Sequence, residues 1–299
     1  MDLPGELCLG SRVFAPDELV IMAIINRTPD SFFDKGATWE DGSSLERALA
    51  TVDAAVAEGA AIVDIGGVKA GPGDIVEEEE EVRRVVPLIE AVRSRHPDVV
   101  ISVDTWRSAV AREAIAAGAD LLNDAWGGHD PDLAGVAAEL GTGLVCVHVN
   151  GATPRTRPHR VSYPPGAESV VDSVASWLEA EAARVLEAGV RPDGILIDPG
   201  HDFGKSTRHS LALTRRLDEL VASGLPVLVA LSNKDFVGET LDLPVGDRLE
   251  GTLAATAVSA WLGARVFRCH QVGPTRRVLD MVASIKGTRP PAVARRGLA

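Results

Sequence analysis

The stretch VVISVDTWR, residues 99–107, is a short apolar run that ends abruptly in the carboxylate of Asp104. Its length and its β-branched residues predict a strand that is buried on both faces. Seven more apolar runs end in a polar residue in the same way, and they occupy residues 20–26, 61–64, 120–123, 143–148, 194–198, 226–234 and 265–270.

Helical patterns separate these runs, with Ala, Val, Leu and Ile at three- and four-residue spacing. They cover residues 44–57, 77–95, 107–117, 131–140, 168–188, 207–222, 246–262 and 274–285. Glycines follow several of them, as expected where a helix ends in a left-handed residue before the next strand. Eight strand–helix units predict a single-domain α/β protein, a (β/α)8 TIM barrel. A doubly wound sheet is the alternative, but its usual six strands would leave two units unused.

The barrel is expected to span residues 19–286. Residues 1–18 contain a short apolar run and are expected to cover the bottom of the barrel. Residues 287–299 carry Pro290, Pro291, Arg295 and Arg296 and are expected to form a basic C-terminal tail.

Composition and net charge are mainly useful for excluding classes of function. Hydrophobic residues make up 45% of the 299 residues and charged residues 24%, which is typical of a globular protein with a large core. A net charge of −13 argues against a nucleic-acid partner, because a phosphate backbone requires a basic face. We find neither a signal peptide nor an apolar stretch of about 18 residues, so a cytoplasmic protein without membrane contact is expected. The three cysteines are widely spaced, which favours a reducing compartment and no structural metal.

Functional residues are expected where the strands end, because the loops after the strands build the active site of this fold. Asp104, Asn123 and Asp198 would share a pocket with Lys234 across it. Carboxylate and amide groups can recognise a flat heterocycle that has adjacent N–H donors and a carbonyl acceptor. An alternative for some strand-end residues, Asp64 and the pair Asn123 and Asp124, is that they cap the turns that follow.

A second group of strand-end residues is interpreted as cationic. Arg268 and His270 on the eighth strand, together with Asn26 on the first, would form an anion site. The loops after strands seven and eight are the usual phosphate site of this barrel.

Seven motifs stand at or near the predicted strand ends: IINRTPDSFFDKG at 24–36, DIGG at 64–67, ISVDT at 101–105, ND at 123–124, DPGHDFGK at 198–205, SNKDFVG at 232–238 and RCH at 268–270. In their order and spacing they resemble dihydropteroate synthases over nearly the whole chain, and the pattern is similar to a divergent second paralogue of that family.

The resemblance implies a role for each matching residue. Asp104, Asn123, Asp198 and Lys234 would bind the pterin ring, and Asn26, Arg268 and His270 would bind Mg²⁺ and pyrophosphate, with Asn26 as the metal ligand. The family joins 6-hydroxymethyl-dihydropterin pyrophosphate to p-aminobenzoate through a pterin cation, so Asp104, Lys234 and His270 would be the catalytic residues. The resemblance also implies a homodimer formed through the later helices.

The departures from the family lie on the side of the second substrate. VKAGPG at 68–73 stands where the family has ESTRPG, so that Ala70 and Gly71 replace a hydroxyl residue and an Arg. The strand-seven motif has Asn233 where the family has Arg. The altered second-substrate site would therefore comprise Lys69, Ala70, Gly71, Pro72, Ser232 and Asn233.

Four cations are additional to the family pattern: Arg27, Lys69, Arg155 and Arg157. Each one alone is more simply a solvated loop charge, whereas as a set they suggest a different or more anionic second ligand.

Three hypotheses follow. The first is a pterin-binding paralogue in which condensation with p-aminobenzoate is weak or lost, and it is the one that the altered residues favour. The second is a fully active synthase. The third is a barrel that presents methyl-tetrahydrofolate for methyl transfer, which would not need Asn26, Arg268 and His270 as an anion site.

Overall fold

Eight parallel strands form the centre of the molecule. The computed structural model describes residues 5–28, 44–156, 161–163, 165 and 169–297. The strands of the main sheet are β3 Val20–Asn26, β4 Ile62–Gly66, β5 Val100–Asp104, β6 Leu121–Asp124, β7 Gly143–Val147, β8 Ile195–Asp198, β9 Leu228–Ala230 and β10 Val266–Cys269.

The sheet closes on itself. Each strand from β3 to β7 pairs in parallel with the next one along the chain, and β10 pairs with both β3 and β9. A parallel bridge between Ile197 and Val227 joins the remaining edges, and the N–H of Ile197 donates to the carbonyl of Pro226 at 3.0 Å. This closure confirms the TIM barrel and excludes the doubly wound sheet.

Helices cover the outside of the barrel and bury their apolar faces against it. They are α1 Ser44–Ala57, α2 Glu78–Arg95, α3 Ser108–Ala116, α4 Leu133–Leu140, α5 Ser169–Glu187, α6 Thr207–Arg215, α7 Leu217–Val221, α8 Asp235–Leu241, α9 Leu249–Trp261 and α10 Val272–Lys286. The expected left-handed glycines are confirmed, since Gly59, Gly118, Gly189 and Gly263 have φ values of 104°, 115°, 103° and 109°.

Two elements differ from the sequence prediction. The helix expected over 207–222 is divided at Arg216, whose ψ of 31° is not helical. The strand expected over 226–234 stops at Ala230, and the chain then turns through Asn233 into α8, a helix that the pattern did not predict. Asn233 has φ 59°, which interrupts extended backbone.

A hairpin closes the bottom of the barrel. It consists of β1 Leu7–Leu9 and β2 Arg12–Phe14, paired antiparallel. The side chains of Leu7, Leu9 and Phe14 are buried among the first residues of the barrel strands, which include Val20, Ile62, Val100, Leu121, Leu228 and Val266.

After α10, residues 287–297 contain neither helix nor strand, and nearly all of them are exposed. Cys146 and Cys269 are buried and Cys8 is partly buried, and all three are free thiols. Among the helices in the described part of the chain, none is long and apolar enough to span a membrane.

Candidate functional site

Asp64 lies at the centre of a polar network inside the upper end of the barrel. Its carboxylate is fully buried and accepts hydrogen bonds from Ser102 Oγ at 2.6 Å, Arg268 Nε at 2.6 Å and Asn123 Nδ2 at 3.1 Å. Asp64 therefore does not cap a turn, and instead it fixes Asn123 and Arg268. The sequence contained a signal for this role, because a carboxylate inside an apolar strand needs buried partners.

Asp104 extends this network toward the opening of the barrel. Its Oδ2 accepts a hydrogen bond from Arg268 Nη2 at 2.6 Å, so that Arg268 bridges two carboxylates. Burial raises the pKa of Asp104 to about 7, although the charge of Arg268 opposes the rise. We call Asp64, Asp104, Asn123 and Arg268 the floor of the site.

His270 follows β10 and is neutral at pH 7, so the prediction of a cationic pair with Arg268 is wrong in this respect. Burial, together with the nearby charges of Arg268 and Lys234, lowers the pKa of His270 to about 3. Its Nδ1 lies 3.0 Å from Ser232 Oγ, and that oxygen also lies 3.2 Å from Gln271 Oε1.

Lys234 follows β9 and Asp198 ends the neighbouring strand β8, and their charges interact. Lys234 Nζ lies 4.2 Å from the ring centroid of Phe203, in a cation–π contact. Burial lowers the pKa of Lys234, while the carboxylates of Asp202 and Asp198 oppose the change. Asp198 ends β8, and its Oδ1 accepts a hydrogen bond from the N–H of Gly200 at 2.7 Å. Burial raises the pKa of Asp198, and Lys234 opposes this rise.

A cavity of about 250 Å³ opens above the floor and brings most of the predicted site residues together. The predicted residues that line it are Asn26, Lys69, Ala70, Gly71, Asp104, Ser232, Asn233, Lys234, Arg268 and His270. Asn123 and Asp198 are buried and are not part of this lining, and Pro72 is exposed outside it. We call residues 69–71 and 232–235 the wall of the site.

An aromatic cluster, which the sequence analysis did not single out, supports one side of the cavity. The ring of Trp126 meets Phe203 edge-on at 5.5 Å and Trp106 at 6.4 Å between centroids. Asp124 fixes this turn by accepting hydrogen bonds from the N–H groups of Trp126 at 3.2 Å and Gly128 at 2.6 Å. Burial raises the pKa of Asp124 to about 6. The turn-cap interpretation thus holds for Asp124.

Three arginines hold the backbone of loop 2, which we define as residues 67–76. Arg84 Nη1 donates to the carbonyl of Gly67 at 2.9 Å, and Arg107 Nη2 donates to that of Val76 at 2.7 Å. Arg155 donates from Nε to the carbonyl of Gly71 at 3.4 Å and from Nη1 to the carbonyl of Asp74. Arg155 therefore binds the loop itself.

The structure corrects the prediction that a set of additional cations enters the site. Arg27 is buried behind the barrel opening, where it donates to the carbonyls of Arg84 at 3.2 Å and Ser44 at 3.1 Å. Lys69 lines the cavity, and Arg157 lies outside the described residues. Two of the four additional cations, Arg27 and Arg155, thus bind backbone carbonyls. The prediction of a more anionic second ligand, which depended on these cations as a set, is therefore weakened.

A second cavity, of about 650 Å³, adjoins the first and shares Ala70, Gly71, Phe203, Asn233, Lys234 and Asp235 with it. Lys205 lies on its inner side, where Nζ contacts His148 Nδ1 at 2.8 Å and donates to the carbonyls of His148 and Phe203, both at 2.9 Å. Burial lowers the pKa of His148 to about 3, so the neutral ring accepts this hydrogen bond.

The residues suited to Mg²⁺ are few. Within the described ranges, no group of three or more His, Cys, Asp or Glu side chains is arranged to hold a metal ion. Asn26 offers one oxygen ligand at the cavity. This donor set fits Mg²⁺ that arrives with a phosphate substrate, because Mg²⁺ commonly takes most of its other ligands from phosphate and water.

Comparison with known proteins shows to which family the chain belongs. The family model described as pterin binding enzyme matches residues 22–270. The chain belongs to the pterin-binding, dihydropteroate synthase family. It is 59% identical over 297 residues to the Mycobacterium leprae protein named inactive dihydropteroate synthase 2, covering 99% of this chain and 100% of that protein.

Dihydropteroate synthases themselves are more distant. The Haemophilus influenzae dihydropteroate synthase is 38% identical over 262 residues, which are 87% of this chain and 92% of that protein. A solved dihydropteroate synthase from Coxiella burnetii, in complex with pteroic acid, superposes with a TM-score of 0.84 at 33% identity and covers 95% of this chain and 99% of its own.

Proposed function

We propose that this protein binds 6-hydroxymethyl-7,8-dihydropterin or its pyrophosphate above the floor, and that its condensation with p-aminobenzoate is weak or lost. The observation that carries the proposal is the buried network in which Asp64 fixes Arg268 and Asn123 beside Asp104. A network of this kind pre-orients hydrogen-bonding groups before a ligand arrives, so little reorganisation is needed on binding.

The chemistry of the pterin ring matches these groups. Asp104 has oxygens at the cavity that can accept adjacent N–H groups. Asp198 and Asn123 are buried outside this lining, where Asn123 keeps an amide oxygen besides the Nδ2 bound to Asp64, and a pterin would have to reach them below it. Phe203 presents an aromatic surface at the cavity, where Lys234 lies over its ring. A pyrophosphate carried by the pterin would lie toward Asn26, Lys69 and His270, and Mg²⁺ bound to it would neutralise part of its charge.

Two features of the site support weak catalysis. Arg268 is already bound to two carboxylates, so its charge is largely compensated before a leaving group develops. Ala70 and Gly71 in the wall offer no side-chain donor to that group. Losing one donor of this type can cost roughly a hundredfold in rate. The name of the M. leprae relative, inactive dihydropteroate synthase 2, agrees with this proposal.

Calorimetric titration with the pterin pyrophosphate and Mg²⁺ tests the first half of the proposal. Adding p-aminobenzoate to the same sample, with an assay for released pyrophosphate, tests the second half. We expect binding without release. Absence of binding would contradict the pterin proposal, and release at the rate of a dihydropteroate synthase measured in parallel would show a fully active enzyme.

We further propose that two copies associate through the outer faces of α9 and α10. Val258, Trp261, Met281 and Ile285 on these helices are large apolar residues that are about half exposed or more, at 47%, 56%, 60% and 60%. Lys286 Nζ donates to the carbonyl of Trp261 at 3.3 Å, which ties the two helix ends together. Sedimentation velocity should give the mass of a dimer, and a monomer at micromolar concentration would contradict this proposal.

A further inference from the structure

The segment that carries Lys234 has little support from the sheet. Strand β9 ends at Ala230, and the segment then leaves the sheet through Asn233, which has a left-handed φ of 59°. Non-glycine residues in this conformation persist when the surrounding structure holds them. The position of Lys234 over Phe203 therefore depends on contacts from outside the strand.

Thr252 Oγ1 accepts from the N–H of Asn233 at 3.3 Å and Asp202 Oδ2 from that of Phe236 at 3.2 Å, and Arg248 adds contacts on both sides of Lys234. Its Nη1 donates to the carbonyl of Asn233 at 2.9 Å and to Asp235 Oδ1 at 3.0 Å. Its Nε donates to the carbonyl of Leu243 at 3.2 Å, so one guanidinium joins the residues before α8 to those after it. The Arg248 side chain is only 11% exposed, although Asp235 is largely exposed.

Gly238 makes this arrangement possible. It lies inside α8 with helical φ, so its backbone does not require glycine. A Cβ at this position would come within 3.0 Å of three guanidinium atoms of Arg248, a separation that real Cβ contacts essentially never show. The missing side chain therefore provides the space in which the guanidinium lies against the helix.

We infer that Arg248 is a positioning residue for ligand binding, because it binds the carbonyl of Asn233 and the carboxylate of Asp235 on either side of Lys234 and so places the Lys234 ammonium group in the cavity. The inference rests on the proposed pterin site, where Lys234 is a binding residue. Arg248 does not line either cavity described above, so it acts through Lys234.

A double-mutant cycle tests this coupling. Arg248→Ala should weaken pterin affinity on the order of tenfold, and it should have no further effect in the Lys234→Ala background. Arg248→Lys keeps the charge but not the planar fork, so it should recover only part of the affinity. An equal loss in both backgrounds, or an unchanged affinity in a folded Arg248→Ala protein, would overturn the inference.

Gly238→Ala gives an independent variant, because it displaces the guanidinium while Ala is a better helix former than Gly. It should weaken pterin binding in the same direction. Arg112→Ala is the matched control, since this arginine forms an exposed ion pair with Glu139 on the outside of the barrel. It should leave pterin affinity unchanged.

A measurement without ligand separates this inference from the proposed function. Competitive acetylation with acetic anhydride, read by mass spectrometry, should modify Lys234 faster in Arg248→Ala than in the parent protein, with Lys286 as the internal reference. If the parent protein binds no pterin, the proposed function fails, but this comparison still decides the role of Arg248. Equal Lys234 labelling in both proteins would overturn it.

Discussion

The floor and the wall of the cavity are built by different means. In the floor, side chains from four barrel strands bind one another, and Arg268 reaches Asp64 and Asp104 at 2.6 Å each. In the wall, arginines such as Arg155 and Arg248 bind backbone carbonyls from behind. The floor thus holds its charged groups in a side-chain network, whereas the backbone of the wall is held by arginines, and small or neutral side chains, Ala70, Gly71 and Asn233, stand beside Lys69 and Lys234 in it.

Under the proposed function, this difference explains how ligand recognition is kept while condensation is weak or lost. The departures from the family sequence in loop 2 and at Asn233 lie in the wall, while Asp104, Asn123, Asp198 and Arg268 keep the family residue types. Because the two parts are held by separate sets of contacts, a change in one need not disturb the other.

The largest effect is expected for pterin affinity, when a predicted pterin-binding residue is removed. Asp198→Ala should weaken pterin binding on the order of a hundredfold or more, since truncation leaves buried partners unpaired. Calorimetric titration measures this loss. Asp193→Ala is the control, because Asp193 lies just before the same strand at the opposite end of the barrel. Unchanged affinity in Asp198→Ala would contradict the assignment of the pocket.

A second change tests whether the floor is one unit. Asp64→Asn removes the buried counter-charge of Arg268, and breaking such a pair should reduce the free energy of unfolding by about 3 kcal/mol. Urea denaturation measures this difference. Asp53 also contacts two basic residues, Arg95 and His96, both at 2.7 Å, but its side chain is 39% exposed, so Asp53→Asn should cost less than about 1 kcal/mol. An equal loss in the free energy of unfolding for the two variants would contradict the central position of Asp64 in the polar network.

Restoring the family residues in the wall should increase the rate of condensation with p-aminobenzoate without changing the floor. Gly71→Arg together with Asn233→Arg should raise pyrophosphate release roughly tenfold above the parent protein. The left-handed backbone at Asn233 will reduce the gain, since a long side chain there costs on the order of 1 kcal/mol. Pyrophosphate assays on both single variants and the double variant measure the effect. No increase would show that the wall does not limit the reaction.

The smallest expected effect is a pH dependence of binding. The pKa of Asp104 is raised to about 7 by burial, and the ionised carboxylate is the form that accepts two N–H groups of a pterin. Affinity should therefore be constant above pH 7 and fall by up to about tenfold for each pH unit below it. Titrations between pH 6 and pH 8 measure this, and Asp104→Asn should show a flat profile. A flat profile in the parent protein would contradict the role of ionised Asp104.

The fold could be predicted well because hydrophobic periodicity reports burial directly. The run at residues 20–26 and the helix at residues 44–57 have the predicted bounds in the structure. The prediction failed at residues 231–241, where the chain leaves the sheet and forms α8. An apolar run does not show where strand pairing stops, and here the left-handed Asn233 decides it.

The sequence predicted which residues meet at the site better than it predicted their ion pairs and protonation states. Strand ends meet at one edge, so Asn26, Asp104, Lys234, Arg268 and His270 were expected together, and the structure brings them to one cavity. Partners across the barrel are set by three-dimensional packing. The sequence therefore did not show that Arg27 is buried against carbonyls, that Arg268 is shared between two carboxylates, or that His270 is neutral.

The hairpin at the bottom of the barrel has a consequence for biosynthesis. Leu7, Leu9 and Phe14 leave the ribosome before any barrel strand, yet their contacts include Leu228 and Val266 on the last two strands. Arg265 donates to the carbonyls of Phe14 at 3.2 Å and Ala15 at 2.7 Å, so the hairpin is also anchored by a residue that is made very late. The hairpin can therefore complete its packing only after nearly the whole chain has been made, so the bottom of the barrel closes late in folding and by contacts between residues far apart in sequence.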